Sequence, residues 1–320
     1  MSVVTSRQLA VKWLGYMLTP LTATLALRKI RRRRKIEVLV QYTFYPDSVV
    51  AGLYAKLFCG SKVVLDCEDI SVPRFSDWHR DSETRPIQQI WAFCLMRLSF
   101  IVADCILVPS GKFAKAIPQK DKIIVVSGCQ DVEEGVVAGQ GRHVRLLVSG
   151  GLAKENGTDM IIEALSALDE SRRDFSVIIC GYGPLEGWVS ERVKEFKNIT
   201  VQYLGTLDNS AYERVFEEAD VCFAVQRPHG RHGYYKTPSK GYEAICEGKA
   251  LIVSDIGDFG VLPDDVCYHL KEYTSYALAE IIGNLNREGV NRIRRNAIKY
   301  ARMNFDTAVI RGRLMKRLAP

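Results

Sequence analysis

From Ile36 onward the chain alternates short apolar, β-branched runs with longer stretches of helical period. The pattern predicts strands at 36–42, 62–66, 104–108 and 122–127, then again at 144–149, 175–180, 199–203, 220–225 and 250–254. Helical spacing fills 156–168, 184–196, 209–218 and 239–247 between the later strands. Strand–helix alternation of this kind is the signature of a parallel α/β fold. A polar, glycine-bearing stretch at 128–143 carries neither period and separates two such series. The chain is therefore read as a segment 1–35, a first unit 36–143, a second unit 144–285, and a helical segment 286–320 that crosses back to the first unit. The expected architecture is two Rossmann-like domains facing a cleft. In open sheets of this class, ligands bind beyond the carboxyl ends of the strands.

The first 35 residues break the pattern. They hold nine Lys and Arg and no acid, whereas the remaining chain carries 35 basic and 37 acidic residues, a net of −2. The basicity of the protein, +7 overall, is thus that of one segment. Trp13 to Leu27 bears no charge, but this run is shorter than the ~20 residues that span a bilayer, and Pro20 interrupts it. Two readings stay open: a helix packed on the core followed by a solvated charge run, or an interfacial helix whose cations meet anionic lipid. The second makes residues 8–35 a contact for an anionic membrane surface and places the protein in the cytoplasm, peripheral at the inner membrane face. Nucleic acid is not an expected partner, because "RRRR" has no reader motif or aromatic platform beside it.

Composition adds little beyond exclusions. Hydrophobic residues at 47% and charged residues at 25% are those of a globular protein. The nine cysteines form no C-x-x-C pair and most sit in apolar runs, as at Cys105, Cys180, Cys222 and Cys246, so they are read as reduced core residues. The five histidines are scattered, and no metal site is expected.

Candidate chemistry gathers at the strand ends of the second unit. "LLVSGGLAKENG" places Gly150 and Gly151 after a strand, "VIICGYGP" does the same with Gly181 and Gly183, and "VQYLGTL" supplies Gly205. Glycine at such turns lets backbone N–H groups approach a ligand. "TPSKGYE" then opens a helix at Thr237, Pro238, Ser239, Lys240 and Gly241, with Glu243 one turn in. A helix N-terminus presents free donors and partial positive charge to a phosphate.

In this order, "VSGGLAKENGTDMIIEAL", "VIICGYGPLEGWV", "NITVQYLGTLDNSAYERVFEEADVCFAV" and "TPSKGYEAICEGKALIVSD" resemble the donor-nucleotide half of family 4 glycosyltransferases. Those enzymes share the two-domain GT-B fold. The resemblance covers about residues 144–260; "VVLDCEDI" and "ADCILVPSGKF" are similar to acceptor-domain strands of the same family. It implies transfer of a sugar from a nucleotide-sugar to a glycan or lipid-linked acceptor, with retention and without a bound metal. The nucleotide-sugar is then a co-substrate and no cofactor is needed. It further implies that Lys240 and the amides of Pro238–Gly241 face the pyrophosphate, and that Glu243 holds the ribose hydroxyls.

The chain also departs from the family. Tyr235 stands where a sugar-binding glutamate is common, and Gly151 and Asn156 stand where an arginine and a lysine usually meet phosphate. Lys154, Arg227, Arg231, Lys236 and Lys240 are the candidates to compensate. The first strand and glycine-rich loop of the family have no counterpart before the apolar segment, so the first domain is expected to be shortened. In "EDISVPRFSDWHRDSE", Glu68, Asp69 and above all His79 are candidates for handling an acceptor hydroxyl; His229 and His232 are candidates near the donor. A catalytically silent membrane- or partner-binding subunit and a nucleotide-sugar epimerase are the alternative functions.

Overall fold

The computed structural model describes residues 12–67, 86–132, 141–170, 174–227 and 238–319. Glu68, Asp69, His79, His229, His232, Tyr235 and Thr237 lie outside the described residues. The chain divides into two units, Met1–Val126 with Gly312–Pro320, and Ser127–Arg311.

The first unit runs α1 (Lys12–Arg31), β1 (Val38–Tyr42), α2 (Pro46–Tyr54), β2 (Lys62–Asp66), α3 (Pro86–Val102), β3 (Cys105–Val108), α4 (Gly111–Ala116) and β4 (Ile123–Val125). Its sheet is parallel in the order β1-β2-β3-β4. Val63, Val64 and Leu65 of β2 are all buried, as expected of a parallel strand covered on both faces. Ser110 caps α4, its hydroxyl oxygen accepting from the Phe113 N–H at 3.0 Å. Helix α1 packs along α2 and buries Leu27, while Leu21 and Leu25 remain 56% and 54% exposed. Exposed Arg28 and Lys29 continue that outer stripe at helical spacing. Among the described residues no helix is long and apolar enough to cross a membrane.

The second unit runs β5 (Val144–Gly151), α5 (Thr158–Leu168), β6 (Phe175–Tyr182), α6 (Glu186–Arg192), β7 (Thr200–Tyr203), α7 (Asn209–Glu218), β8 (Val221–Ala224), α8 (Ser239–Cys246), β9 (Ala250–Ser254), β10 (Tyr268–Leu270), α9 (Ser275–Gly283) and α10 (Arg287–Asn304). Its parallel sheet has the order β10-β9-β8-β5-β6-β7. The chain builds outward from β5 in one direction and then, beginning at β8, in the other. The crevice between β5 and β8 is the topological switch point where such folds bind ligands. Alternate residues feed two cores: Leu146 and Val148 join one with α5 and α9, and Leu147 joins the other with α7, α8 and α10.

The units divide between Val126 and Ser127, ahead of the polar stretch rather than at its end. The physical reason is local tethering. The Ser127 hydroxyl donates to Asp258 at 3.0 Å, and the Gln130 N–H donates to the Phe305 carbonyl at 3.1 Å. Helix α10 belongs to the second unit, bound through Asp220, whose Oδ1 accepts from Arg287 at 2.7 Å and from Arg294 at 3.1 Å. The last helix, α11 (Thr307–Leu318), starts in the second unit, and from Gly312 its residues belong to the first. There Leu314 and Leu318 pack against Val64, Cys105 and Ile124. All nine cysteines are free, and Cys67, Cys105, Cys180, Cys222, Cys246 and Cys267 are buried.

Candidate active site

Strands β5 and β6 extend two residues past the predicted ends, so Gly150, Gly151 and Gly181 are strand residues rather than turn residues. They pair in register, Gly150 with Gly181 and Gly151 with Tyr182. The cause is close backbone approach. A Cβ on Gly181 would stand 1.9 Å from the Gly150 carbonyl oxygen, and Gly181 holds φ at +131°. The Tyr203 hydroxyl donates to the Gly181 carbonyl at 3.0 Å, and the Gly181 N–H donates to the Gly205 carbonyl at 2.8 Å.

At the switch point a cavity of about 220 Å³ opens over the ends of β5 and β8 and the start of α8. Gly150, Gly151, Pro238, Ser239, Lys240 and Gly241 all line it. Gly181, Gly183, Gly205 and Glu243 do not; the first three shape the neighbouring strand ends instead. His79 and Thr237 lie outside the described residues.

Pro238 precedes α8 with φ −58°, and among the described residues no side chain caps the helix start. Its leading N–H groups therefore keep their donor capacity toward the cavity. Gly241 has a packing reason: a Cβ there would meet Phe259 Cζ at 2.2 Å and Ala224 at 3.2 Å. Without a side chain, α8 can lie directly on the fully buried Phe259 and against β8.

Lys240 is the one charged side chain among the described residues lining the cavity. Its side chain passes over Gly150: a Cβ built on that glycine would lie 3.8 Å from Cδ and 3.9 Å from Nζ. Glu243, one turn further, is half-buried. Burial pushes its carboxyl up from the ordinary glutamate range, Lys240 pulls it back down, and Glu247 reinforces the rise.

Gln226 and Ser254 escape the sequence reading, as does the structural role of Asn156. The Asn156 amide donates to the Gly151 carbonyl at 2.8 Å, and its oxygen accepts from Gln226 Nε2 at 3.0 Å. The Gly151 carbonyl can only accept, which fixes the orientation of both amides. Ser254 completes the chain, its hydroxyl donating to the Gln226 carbonyl at 2.7 Å and accepting from the Gln226 N–H at 3.0 Å. The ends of β5, β8 and β9 are thus joined by neutral hydrogen bonds. Only the position of Gln226 just beyond a strand end could have marked it from sequence. Among the described residues, no group of three His, Cys, Asp or Glu side chains is placed to hold a metal ion.

Residues 143–286 match the family model described as Glycosyl transferases group 1. In structure the chain is similar to a glycosyltransferase from Rickettsia africae, with TM-score 0.68 and 14% identity over 100% of this chain and 85% of that one. It is similar to Anabaena HepE solved with UDP, with TM-score 0.65 and 15% identity over 93% and 82% of the two chains. It is also similar to S. aureus TarM solved with UDP and α-GlcNAc-glycerol, with TM-score 0.64 and 11% identity over 94% and 59%. No curated protein matches the chain in sequence. These likenesses establish the mixed α/β, two-sheet GT-B fold.

Proposed function

From a GT-B chain whose residues 143–286 match the glycosyl transferases group 1 domain, we propose a glycosyltransferase that moves a sugar from a nucleotide-sugar to a glycan or lipid-linked acceptor. The observation that carries this reading is the cavity at the β5–β8 switch point, where the start of α8 and Lys240 converge. Departure of a nucleoside diphosphate builds negative charge on the leaving oxygen and cationic character on the sugar. Fixed donors aimed at the diphosphate are what lowers such a barrier. The amides of Ser239 and Lys240, the helix dipole and the Lys240 ammonium supply them. Glu243 holds the ribose hydroxyls. The reaction proceeds with retention and without a metal ion, Lys240 and the helix start taking the charge. The UDP complexes of HepE and TarM, and the glycoside bound to TarM, support the choice of donor and acceptor classes.

The test is to incubate the purified protein with a panel of nucleotide-sugars and simple glycan acceptors, following released nucleotide and the sugar's anomeric configuration by NMR. Acceptor-dependent nucleotide release with retained configuration is expected. An epimerised sugar without acceptor would replace the reading by a nucleotide-sugar epimerase. Absence of both turnover and nucleotide binding would replace it by a silent GT-B subunit, in line with the uncharged Gly151 and Asn156.

The acceptor side meets the cytoplasmic face of a membrane through residues 8–35. The outer stripe of α1, with Leu21 and Leu25 beside Arg28 and Lys29, combines apolar anchors with cations. Sedimentation with vesicles containing anionic lipid should pull the protein down at low salt. Binding should weaken as salt shortens the screening length toward ~8 Å. Equal binding to purely zwitterionic vesicles would remove the electrostatic part of this assignment.

A further inference from the structure

The charged side chain of the cavity rests on an aromatic face. Lys240 Nζ stands 4.7 Å from the centroid of the Tyr212 ring. Tyr212, on α7, is itself fixed by stacking on the buried Phe216, with centroids 5.6 Å apart and planes 18° from parallel. We propose that Tyr212 is a positioning residue for the diphosphate, acting through Lys240, whose ammonium its ring holds over the Gly150 strand end. The inference rests on the nucleotide reading of the cavity given above.

Three observations make the ring more than packing. Lys240 is exposed, and a long exposed lysine otherwise samples many rotamers, few of which would place Nζ over Gly150. The support is also uncharged. Among the described residues no carboxylate lies within ion-pair distance of Lys240, and Glu243 acts on it only at longer range. A carboxylate partner would neutralise the cation and compete with the phosphate, whereas a ring face attracts the ammonium and leaves its full charge in place. Finally, the phenol stays neutral. Burial pushes the Tyr212 hydroxyl up to about 12, against the opposing pull of a hydrogen bond with Ser149, so no phenolate forms near neutral pH to pair with Lys240.

The experiment uses the full chain and isothermal titration with UDP, GDP and ADP, each against its parent nucleoside. Tyr212→Leu keeps apolar bulk under α7 but removes the ring. It should weaken the bound nucleoside diphosphate roughly tenfold, the scale of one good cation–ring contact, and leave the nucleoside nearly unchanged. Tyr212→Phe should restore most of the loss. In a Lys240→Met background, Tyr212→Leu should cost nothing further, since the ring then has no cation to hold. Equal weakening of diphosphate and nucleoside, or the same tenfold loss without Lys240, would reduce Tyr212 to a packing residue. Wild-type protein that binds none of the nucleotides would overturn the nucleotide reading itself, and this inference with it. Binding by wild type with an unaffected Tyr212→Leu would overturn this inference alone.

Discussion

Lys240→Ala should lower kcat by on the order of 10²–10³, the loss typical when one donor that stabilises developing charge is removed. The size follows from its isolation: no other charged side chain among the described residues lines the cavity. The helix N-terminus remains in the variant, so activity should fall without vanishing. Donor KM should change less than kcat, because the charge on the leaving oxygen grows toward the transition state. Glu243→Gln should show the reverse split, with donor KM raised and kcat nearly kept, since in the proposed reading it weakens a charge-assisted contact to ground-state hydroxyls. The two residues are also coupled through pH. Burial raises the Glu243 carboxyl and Lys240 opposes that rise. Removing Lys240 must therefore raise the carboxyl further, and the acidic limb of the donor-KM profile should move to higher pH in Lys240→Ala. An unchanged kcat with a confirmed donor would show that the start of α8 is no more than a helix end. A limb that moves to lower pH would contradict the coupling.

The strands of both sheets were legible because their apolar runs are short, β-branched and bounded by polar turns. Every strand predicted from 36 to 254 has a counterpart in the structure, mostly with ends trimmed by one or two residues. Strands β5 and β6 err the other way. Glycine reads as a turn in sequence, yet here it continues a strand, because two backbones approach too closely for any Cβ. The short β10 was missed, having only Tyr268–Leu270 to announce it. In the first unit α2 and α3 were passed over, being apolar over much of their length without a clear polar face to set a period.

The cavity was half legible. "SGG" and "PSKG" mark its floor and its helix because glycine and a free helix start carry a local signal. The amide relay from Ser254 through Gln226 and Asn156 to Gly151 carries none. Its members are over a hundred residues apart from end to end, neutral, and individually ordinary. Tyr212 is of the same kind: in "SAYERVFEEAD" it is one more half-buried helix residue, and only the fold brings Lys240 over it. Glu243 shows the converse. The sequence pairs it with Lys240 by spacing, while the structure holds it half-buried beside the cavity rather than on its wall.

The largest stability effect is expected at a glycine that does not line the cavity. Gly181→Ala would force a side chain onto a residue at φ +131°, a region open to glycine and to little else, and would drive its Cβ to 1.9 Å from the Gly150 carbonyl oxygen. The obstacle is backbone, held in register from Val144↔Phe175 to Gly151↔Tyr182, so it cannot swing aside as a side chain would. Strain and overpacking together should cost ~3–4 kcal/mol. Gly205→Ala is the matched control. It too has positive φ, +67°, but nothing lies within 4 Å of its missing Cβ, and about 1–2 kcal/mol of backbone strain is all it should show. Urea unfolding of the full chain, followed by circular dichroism, should separate the two by at least 1 kcal/mol in the transition of the second unit. Because β5 must move to admit the methyl group, Gly181→Ala should also weaken nucleoside diphosphate binding in the fraction that stays folded, whereas Gly205→Ala should bind nearly as wild type. If the two variants unfold together, the β5–β6 approach is softer than its geometry implies. In that event glycine at 181 would answer only to its dihedral angle.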